Sequence, residues 1–161
     1  MKRFDVLTKL IKENGFKIGV EMGTGLGANA MNLLKNNPDL TLIQVAYYPG
    51  TLTGHSTKKA RKKWFERIKP YMNRSKIIEK KSEEAAKLVE DESVDFVFID
   101  GNHFYESVKQ DIELWRPKVK KGGMISGHDY GHPDWPGVKK AVDEIFNKVS
   151  LSSDHVWYVF K

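Results

Sequence analysis

A chain of 161 residues has the length of one domain, and its 40% apolar and 30% charged residues are typical of a globular protein. It contains no cysteine, which excludes disulfides, thiolate metal ligands and cysteine nucleophiles and is compatible with a reducing compartment. No apolar run reaches the roughly 18 residues of a membrane span, and the first residues carry charges without an apolar signal segment. We therefore expect one cytoplasmic domain with no membrane partner, in which residues 1–15 form an N-terminal helix and residues 16–161 the core.

The formal net charge of +6 raises the question of a nucleic-acid partner. The basic residues are mostly lysines interleaved with glutamate and aspartate, which is typical of a solvated surface, so we do not expect nucleic acid to be the main partner. The most basic segment, residues 58–69, leaves an RNA-directed activity as an alternative.

The first predicted elements are two helices separated by a strand. Apolar residues at helical spacing indicate a helix over residues 4–13 that ends at Gly15. The apolar run at residues 18–22 leads directly into a glycine cluster, as a buried parallel strand does. The next helix buries apolar side chains of residues 30–34 and closes at Asn37-Pro38.

The middle of the chain continues this alternation. Residues 40–46 are predicted as a strand, and residues 47–57 as a loop rich in Tyr, Pro, Gly and Thr. Residues 60–68 place apolar side chains four apart on a third helix, and residues 76–79 form a short strand. Ser82 is predicted to cap the helix that follows, because a serine hydroxyl at that position accepts a backbone hydrogen bond.

The last third of the chain begins with its most apolar strand, residues 94–99, which ends at Asp100. The remaining predicted elements are a helix over residues 108–115, a strand over residues 124–127 entered through a turn at Gly122-Gly123, a helix over residues 138–149, and a hairpin of residues 149–151 and 155–160. Strands that alternate with helices indicate an α/β fold, with a doubly wound, mostly parallel sheet between two layers of helices. The C-terminal hairpin adds an antiparallel edge.

The turn after the first strand carries the first functional pattern, Glu21-Met-Gly-Thr-Gly-Leu-Gly27. Alternate glycines let the backbone approach a ligand closely at the start of a helix. The turn also satisfies the dinucleotide-binding pattern, and a tight turn without any ligand is a further alternative. Glu21 would repel the pyrophosphate of a dinucleotide. It therefore favours a cationic ligand that carries an amino acid.

Two later strands each deliver polar side chains to their carboxyl ends. The strand over residues 94–99 is followed by Asp100 and His103, and the next strand is followed by His128 and Asp129. Because ligands bind beyond the carboxyl ends of parallel strands, these groups indicate function. Carboxylates would suit Mg²⁺ or Mn²⁺, and an imidazole would shift the preference toward a transition metal. Hydrogen bonds among the groups without a metal are the alternative.

Taken together, these blocks resemble the class I S-adenosylmethionine-dependent methyltransferases, most closely the methyltransferase domain 24 type. The resemblance covers about residues 20–160 and is carried by residues 21–27, 98–106 and 121–130. That type is similar to the metal-dependent sugar and catechol O-methyltransferases. It implies S-adenosyl-L-methionine as cofactor and a Rossmann-like sheet of about seven strands, the last one antiparallel.

The resemblance also implies roles for individual residues. Glu21, Gly23 and Gly25 would contact the methionine part of the cofactor, and Ser82 would lie near the adenine. The full set of implied cofactor contacts is Glu21, Gly23, Thr24, Gly25, Ala46, Tyr47, Ser82 and Asp100. A divalent metal such as Mg²⁺ would be held by Asp100, His128 and Asp129.

Ala46 departs from the family pattern, which usually has an acidic residue here that binds both ribose hydroxyls. The loss of such a charge-assisted contact weakens binding by roughly 1.5 to 3 kcal/mol. Ala46 is compatible with natural divergence, with an introduced substitution or with lost activity. It also argues against a dinucleotide-binding site, because dinucleotide folds need an acid at the same position.

The predicted reaction is O-methylation of a small hydroxylated acceptor, with Asp100, His103 and His128 as catalytic residues. A metal on Asp100, His128 and Asp129 would lower the pKa of the acceptor hydroxyl. Without a metal, His103 or His128 becomes the candidate general base. The alternatives are a non-catalytic or cofactor-impaired relative, an RNA-directed methyltransferase and an NAD-dependent dehydrogenase.

The acceptor pocket is the least determined part of the prediction. Trp64 and Trp115 lie on apolar helix stripes and are predicted to be core, whereas Trp135 either walls the pocket or orders its own loop. The pocket must come from residues 47–57, residues 130–136 or a partner subunit, which makes a homodimer a reasonable arrangement.

Overall fold

The computed structural model describes residues 1–48, 51–52 and 55–161, and the side chains of residues 51–57 lie outside that description. The helices are α1 (Arg3–Asn14), α2 (Ala28–Asn36), α3 (Thr57–Ile68), α4 (Ser82–Ala86), α5 (Tyr105–Trp115) and α6 (Pro136–Ile145). The strands are β1 (Ile18–Met22), β2 (Thr41–Val45), β3 (Thr51–Leu52), β4 (His55–Ser56), β5 (Ser75–Ile78), β6 (Val94–Ile99), β7 (Val119–Gly127), β8 (Ser150–Leu151) and β9 (Trp157–Phe160). Within the described ranges, no helix has the length and hydropathy needed to cross a bilayer.

One seven-stranded sheet organises the molecule, in the order β5-β2-β1-β6-β7-β9-β8. The first five of these strands pair in parallel, whereas β9 pairs antiparallel with both β7 and β8. This arrangement confirms the predicted Rossmann-like fold and its antiparallel C-terminal hairpin. The strand order reverses between β1 and β6, so the crevice at their carboxyl ends is the expected ligand site.

Apolar side chains on the two faces of the sheet form two core clusters. Along β6, Phe96 and Phe98 belong to the cluster that includes Trp64, whereas Val97 belongs to the cluster that includes Trp115. This alternation follows from the two-residue period of a strand. Both tryptophans are fully buried, which confirms that they are core residues.

The predicted cap at Ser82 is wrong. The cap position of α4 is Lys81, which makes no side-chain capping bond, and Ser82 is the first helical residue. Its hydroxyl oxygen instead accepts a hydrogen bond from Trp115 Nε1 at 2.9 Å. A buried indole N–H requires an acceptor, and Ser82 supplies it.

Two element boundaries also differ from the prediction. Strand β7 begins at Val119 instead of residue 124, so Gly122-Gly123 lies inside the strand, next to a shift in the β6–β7 register. Helix α6 ends at Ile145 instead of residue 149, because the backbone of Phe146 is extended. The Phe146 ring, which the pattern placed on the helical stripe, packs 6.0 Å from the ring of Trp157. The predicted loop over residues 47–57 contains the short β3–β4 pair.

Candidate functional site

The glycine turn brings the ends of β1 and β6 into contact. Gly23 has φ of +87°, and a Cβ there would lie only 2.2 Å from the carbonyl oxygen of Asp100. The Asp100 amide donates to the carbonyl of Met22 at 2.8 Å. At Gly25, where φ is +48°, a Cβ would point into open space. The absence of a side chain at Gly23 therefore permits the close contact between the strand ends, and at Gly25 it leaves the backbone accessible.

Glu21 lies beneath this turn and is 1% exposed. Its Oε1 accepts a hydrogen bond from Asn29 Nδ2 at 2.9 Å, while its Oε2 and Asn29 Oδ1 are both buried without a partner. Burial raises the pKa of Glu21 to about 8, and the hydrogen bond from Asn29 offsets only part of that effect. Buried polar atoms without partners are costly, and these two oxygens fit a ligand that donates hydrogen bonds.

The two tyrosines after β2, Tyr47 and Tyr48, make different contacts. Tyr48 OH contacts Thr24 Oγ1 at 2.9 Å and donates to the carbonyl of Gly25 at 3.0 Å, which ties down the glycine turn. Tyr47 is 49% exposed, and its ring lies 5.8 Å from Lys81 Nζ, at the start of α4. The structure thus places Tyr47 and the N-terminus of α4 side by side, at the carboxyl ends of β2 and β5.

Ala46 directly follows β2 and is 1% exposed. Its amide donates to the carbonyl of Ile78, and its methyl group packs within the Trp64 cluster.

Ser82 is already engaged by protein groups. Besides the bond from Trp115, its hydroxyl interacts with Asp111, a residue that is 4% exposed. Burial raises the pKa of Asp111 to about 6, and the bond with Ser82 opposes that rise. Ser82 therefore fixes α4 against α5.

Asp100, His103 and Asp129 form a compact cluster beyond the carboxyl ends of β6 and β7. One ligand atom from each lies within 4.8 Å of the others. His103 Nε2 is 2.8 Å from Asp129 Oδ2 and 3.7 Å from Asp100 Oδ1. Asp129 has φ of +60°, which is uncommon for a non-glycine residue and marks a position that the surroundings constrain. We call this group the Asp100–His103–Asp129 cluster.

His128 lies beside the cluster rather than among its three members. Its Nδ1 is 3.0 Å from Asp129 Oδ1 and 3.6 Å from Asp100 Oδ1. Its Nε2 is buried without a hydrogen-bond partner, 3.9 Å from Asp154 Oδ2. His103 thus joins the predicted metal ligands Asp100 and Asp129 in the compact group, and His128 lies at similar distances from both carboxylates.

Charge compensation dominates the electrostatics of the cluster. Hydrogen bonds with Asp100 and Asp129 raise the pKa of His103 to about 9, against the opposing effect of burial. Burial alone would raise the pKa of Asp129, but hydrogen bonds from His103 and His128 outweigh it and hold that pKa well below its ordinary value. At neutral pH the cluster therefore contains a protonated imidazole between two carboxylates.

Arg3, the first residue of α1, supplies a second positive charge. Its Nη1 donates to Asp100 Oδ2 at 2.8 Å and lies 3.1 Å from His128 Nδ1. The Arg3 backbone amide donates to Asp154 Oδ2 at 2.8 Å.

An aromatic wall borders the cluster. The rings of His103 and Trp135 stack with centroids 4.7 Å apart, and Phe104 packs edge-on against Trp135 at 6.5 Å. Phe104 is 68% exposed. Trp135 thus orients a member of the cluster and also forms part of an apolar surface beside it. Of the other predicted pocket segment, residues 47–57, the side chains of residues 49–57 lie outside the described part of the chain.

Sequence reasoning missed three residues of this region: Arg3, Asn29 and Tyr48. Asn29 lies in the first turn of the helix that follows the glycine turn, so its distance from Glu21 along the chain offered a signal. Arg3 offered none, because a single arginine at the start of an amphipathic helix is indistinguishable from an ordinary surface charge.

The fold and this site together define a Rossmann-like domain of the class I methyltransferase type. A family model described as a methyltransferase domain matches residues 20–130, and the chain therefore belongs to the methyltransferase domain 24 family.

Individual relatives agree with this assignment at the level of fold. The chain is similar to an O-methyltransferase from Bacillus cereus in complex with SAH, with a TM-score of 0.74 and 14% identity over 99% of this chain and 80% of that one. It is also similar to the SAH-bound methyltransferase PaMTH1 of Podospora anserina, with a TM-score of 0.73 and 19% identity over 99% and 78%. The uncharacterized protein y4gI of Sinorhizobium fredii is 41% identical over 59 residues, which make up 37% of this chain but 6% of that protein.

Proposed function

We propose that this protein binds S-adenosylmethionine at the glycine turn and transfers its methyl group to a hydroxyl of a small acceptor. The observation that carries the proposal is the buried carboxyl group of Glu21 with its unpaired Oε2, together with the unpaired Oδ1 of its partner Asn29. The α-ammonium group of the cofactor offers both the hydrogen-bond donors and the positive charge that these atoms lack. The two SAH-bound proteins of similar fold support the choice of ligand.

The bound cofactor supplies a methyl group on a sulfonium, which an oxygen nucleophile displaces in line. The task of the chain is to align the acceptor and to receive its proton. A pKa of about 9 leaves His103 protonated at neutral pH, so it is better suited to hold the carboxylates than to accept a proton. His128 is the other candidate general base, and its Nδ1 lies 3.0 Å from Asp129 Oδ1 and 3.6 Å from Asp100 Oδ1.

A divalent metal is the second route to the same chemistry. The two carboxylates and the imidazole of the Asp100–His103–Asp129 cluster are donors of the right type and spacing to hold one. Such an ion would lower the pKa of the acceptor hydroxyl. To bind it, His103 would have to lose its proton and Asp100 its contact with Arg3.

Calorimetric titration of S-adenosylhomocysteine into the purified protein tests the cofactor proposal. Because the ammonium group of the ligand favours ionised Glu21, binding at pH 7 should release close to one proton. Comparing the measured heat in two buffers of different ionisation enthalpy gives that number. Absence of binding by both the parent and the Ala46→Asp variant would overturn the proposal.

A second candidate is a relative that keeps the fold without turnover. Its support is Ala46, a buried methyl group where the family usually has the ribose-binding acid. Binding of S-adenosylhomocysteine by the parent would speak against this candidate, and methyl transfer to any member of a panel of small hydroxylated compounds would exclude it.

A further inference from the structure

The guanidinium of Arg3 contacts Asp100, a carboxylate that any further cation in this site would also use. Asp100 is only 11% exposed at its side chain, and its two carboxylate oxygens face different partners. Oδ1 faces the imidazoles of His103 and His128, at 3.7 and 3.6 Å. Oδ2 accepts the 2.8 Å charge-assisted bond from Arg3 Nη1. Asp100 thus has no oxygen that a new cation could bind without displacing or crowding a positive or proton-bearing group.

The position of Arg3 is determined by more than this ion pair. Its amide is fixed by Asp154, and α1 is anchored through the buried side chains Val6, Leu7, Leu10 and Ile11. The helix therefore presents the guanidinium to Asp100 at little further entropic cost, unlike a long side chain on a mobile segment. With 35% of its side chain exposed, Arg3 can also leave without opening the core.

We infer that Arg3 is the resident cation of this site and competes with a divalent ion for Asp100. A guanidinium at 2.8 Å from the carboxylate supplies the charge that a divalent ion would bring. Its Coulomb repulsion toward such an ion adds to the loss of one ligand oxygen. Arg3 is a positioning residue here, because it acts through its contacts with Asp100 and His128. The inference concerns the same cluster as the proposed function. Its relevance to catalysis rests on that function, whereas the competition for Asp100 does not.

Mn²⁺ binding, followed by electron paramagnetic resonance of the free ion, tests the inference without an acceptor and without turnover. The key comparison is between the parent and Arg3→Met, which keeps the aliphatic length and removes the charge. Arg3→Met should bind one Mn²⁺ at least about tenfold more tightly than the parent. Asp100→Asn added to Arg3→Met should abolish the gain, because it removes a carboxylate ligand.

Lys9→Met is the matched control, since Lys9 lies on the same helix and pairs at 3.8 Å with the exposed Glu13. It removes the same charge away from the site and should leave Mn²⁺ binding unchanged. Arg3→Lys retains the charge and should stay close to the parent. If Arg3→Met melts at a lower temperature, Arg3→Gln provides the neutral variant for the same titration.

Three results would overturn the inference: tight Mn²⁺ binding by the parent, equal weak binding by the parent and both neutral variants, or an equal gain in Lys9→Met. S-adenosylhomocysteine titration of the same proteins keeps this outcome separate from the proposed function. If the parent binds S-adenosylhomocysteine but the parent and the neutral Arg3 variants bind Mn²⁺ equally, the proposed cofactor site stands and only the inference about Arg3 is overturned.

Discussion

Two acidic sites lie side by side at the carboxyl edge of the sheet, and they treat negative charge in opposite ways. Glu21 is buried with one amide hydrogen bond and an unpaired oxygen, and its pKa is raised to about 8. The carboxylates of Asp100 and Asp129 are also largely buried, but Arg3, His103 and His128 surround them, and the pKa of Asp129 is lowered. Glu21 is the more deeply buried, at 1% exposed against 11% and 10% for the side chains of Asp100 and Asp129, and its one hydrogen-bond donor is a neutral amide. Deeper burial and weaker compensation therefore act in the same direction.

This contrast separates a site that requires a cation from one that already contains its own. A carboxyl group left undercompensated is unfavourable in the free protein and becomes favourable when a cationic ligand arrives. A compensated pair is stable without a ligand and resists a further cation. We therefore expect ligand binding to act mainly through Glu21, and substitutions at the cluster to act mainly through its internal partners.

The largest effect on ligand binding is expected from Glu21→Gln. The amide keeps the shape of the side chain and removes its ability to ionise, so the cofactor ammonium loses a charge-assisted bond of about 1.5 to 3 kcal/mol. Binding of S-adenosylhomocysteine measured by calorimetry should weaken by roughly ten- to hundredfold, and the proton release should disappear. Glu13→Gln, on an exposed part of α1, is the control. Unchanged affinity in Glu21→Gln would show that the unpaired oxygen of Glu21 does not face the ligand.

Asp95, at the opposite end of β6, extends the comparison to a carboxylate with a purely structural role. It accepts the backbone amides of Lys17 and Ile18 at 2.7 and 2.8 Å and pairs with Lys120 at 2.7 Å. Burial raises its pKa, but these hydrogen bonds outweigh that effect and lower it. The stabilisation from Asp95 is therefore present above the pKa of the unfolded chain and is lost as the pH falls through the lower pKa of the folded state.

Asp95→Ala should lower the free energy of unfolding by about 1 to 3 kcal/mol in urea titrations at pH 7, because two amides at the start of β1 lose their acceptor. Asp91→Ala, which removes a 66% exposed carboxylate paired with Lys118, should change it by less than about 0.5 kcal/mol. Affinity for S-adenosylhomocysteine should be the same in both variants. If Asp95→Ala and Asp91→Ala lose the same free energy of unfolding, Asp95 contributes no more to stability than an exposed carboxylate does.

Ala46→Asp adds a third acidic group to the same edge and should act in the ligand's favour. If the carboxylate reaches the ribose hydroxyls, the affinity for S-adenosylhomocysteine should increase about tenfold or more. Ala46→Asn, which is similar in size but uncharged, separates a ribose contact from a packing effect. No gain in a variant that melts at the parent's temperature would mean that the carboxylate at position 46 does not reach the ribose hydroxyls.

The fold was predictable from the sequence because its signals are periodic and local. Apolar runs of β-strand length such as β6, and stripes such as Ala60, Trp64 and Ile68 on α3, set the element types and the order in which they alternate. Ser82 and Phe146 were misassigned because their partners are distant along the chain. Trp115 requires the Ser82 hydroxyl, and Trp157 packs against Phe146, and neither contact leaves a trace in the local pattern.

In the candidate site, only the residues at the carboxyl ends of strands were predictable from the sequence. Glu21, Asp100, His128 and Asp129 all follow or end buried strands, so topology alone brings them to one edge. The choice between His103 and His128 as the third member of the cluster depends on how the chain turns after Asp100 and on the constrained backbone of Asp129. Arg3 reaches the site from 97 residues away along the chain, a separation for which a single sequence carries no signal.

The pH dependence of stability in the free protein tests the difference between the two acidic sites most directly. The folded pKa of Glu21, about 8, lies above the ordinary value of 4.5. Its contribution to stability is therefore complete below pH 4.5 and is lost as the pH rises toward 8 and through it. Glu21→Gln has no such titration, so its melting temperature relative to the parent should increase steadily between pH 5 and pH 8.

Saturating S-adenosylhomocysteine should reduce this pH dependence in the parent, because the ligand stabilises the ionised carboxylate. A constant difference between the two proteins across that range would mean that Glu21 keeps an ordinary pKa when free. The unpaired oxygen would then already be compensated, and the two acidic sites would not differ in the way that their contacts indicate.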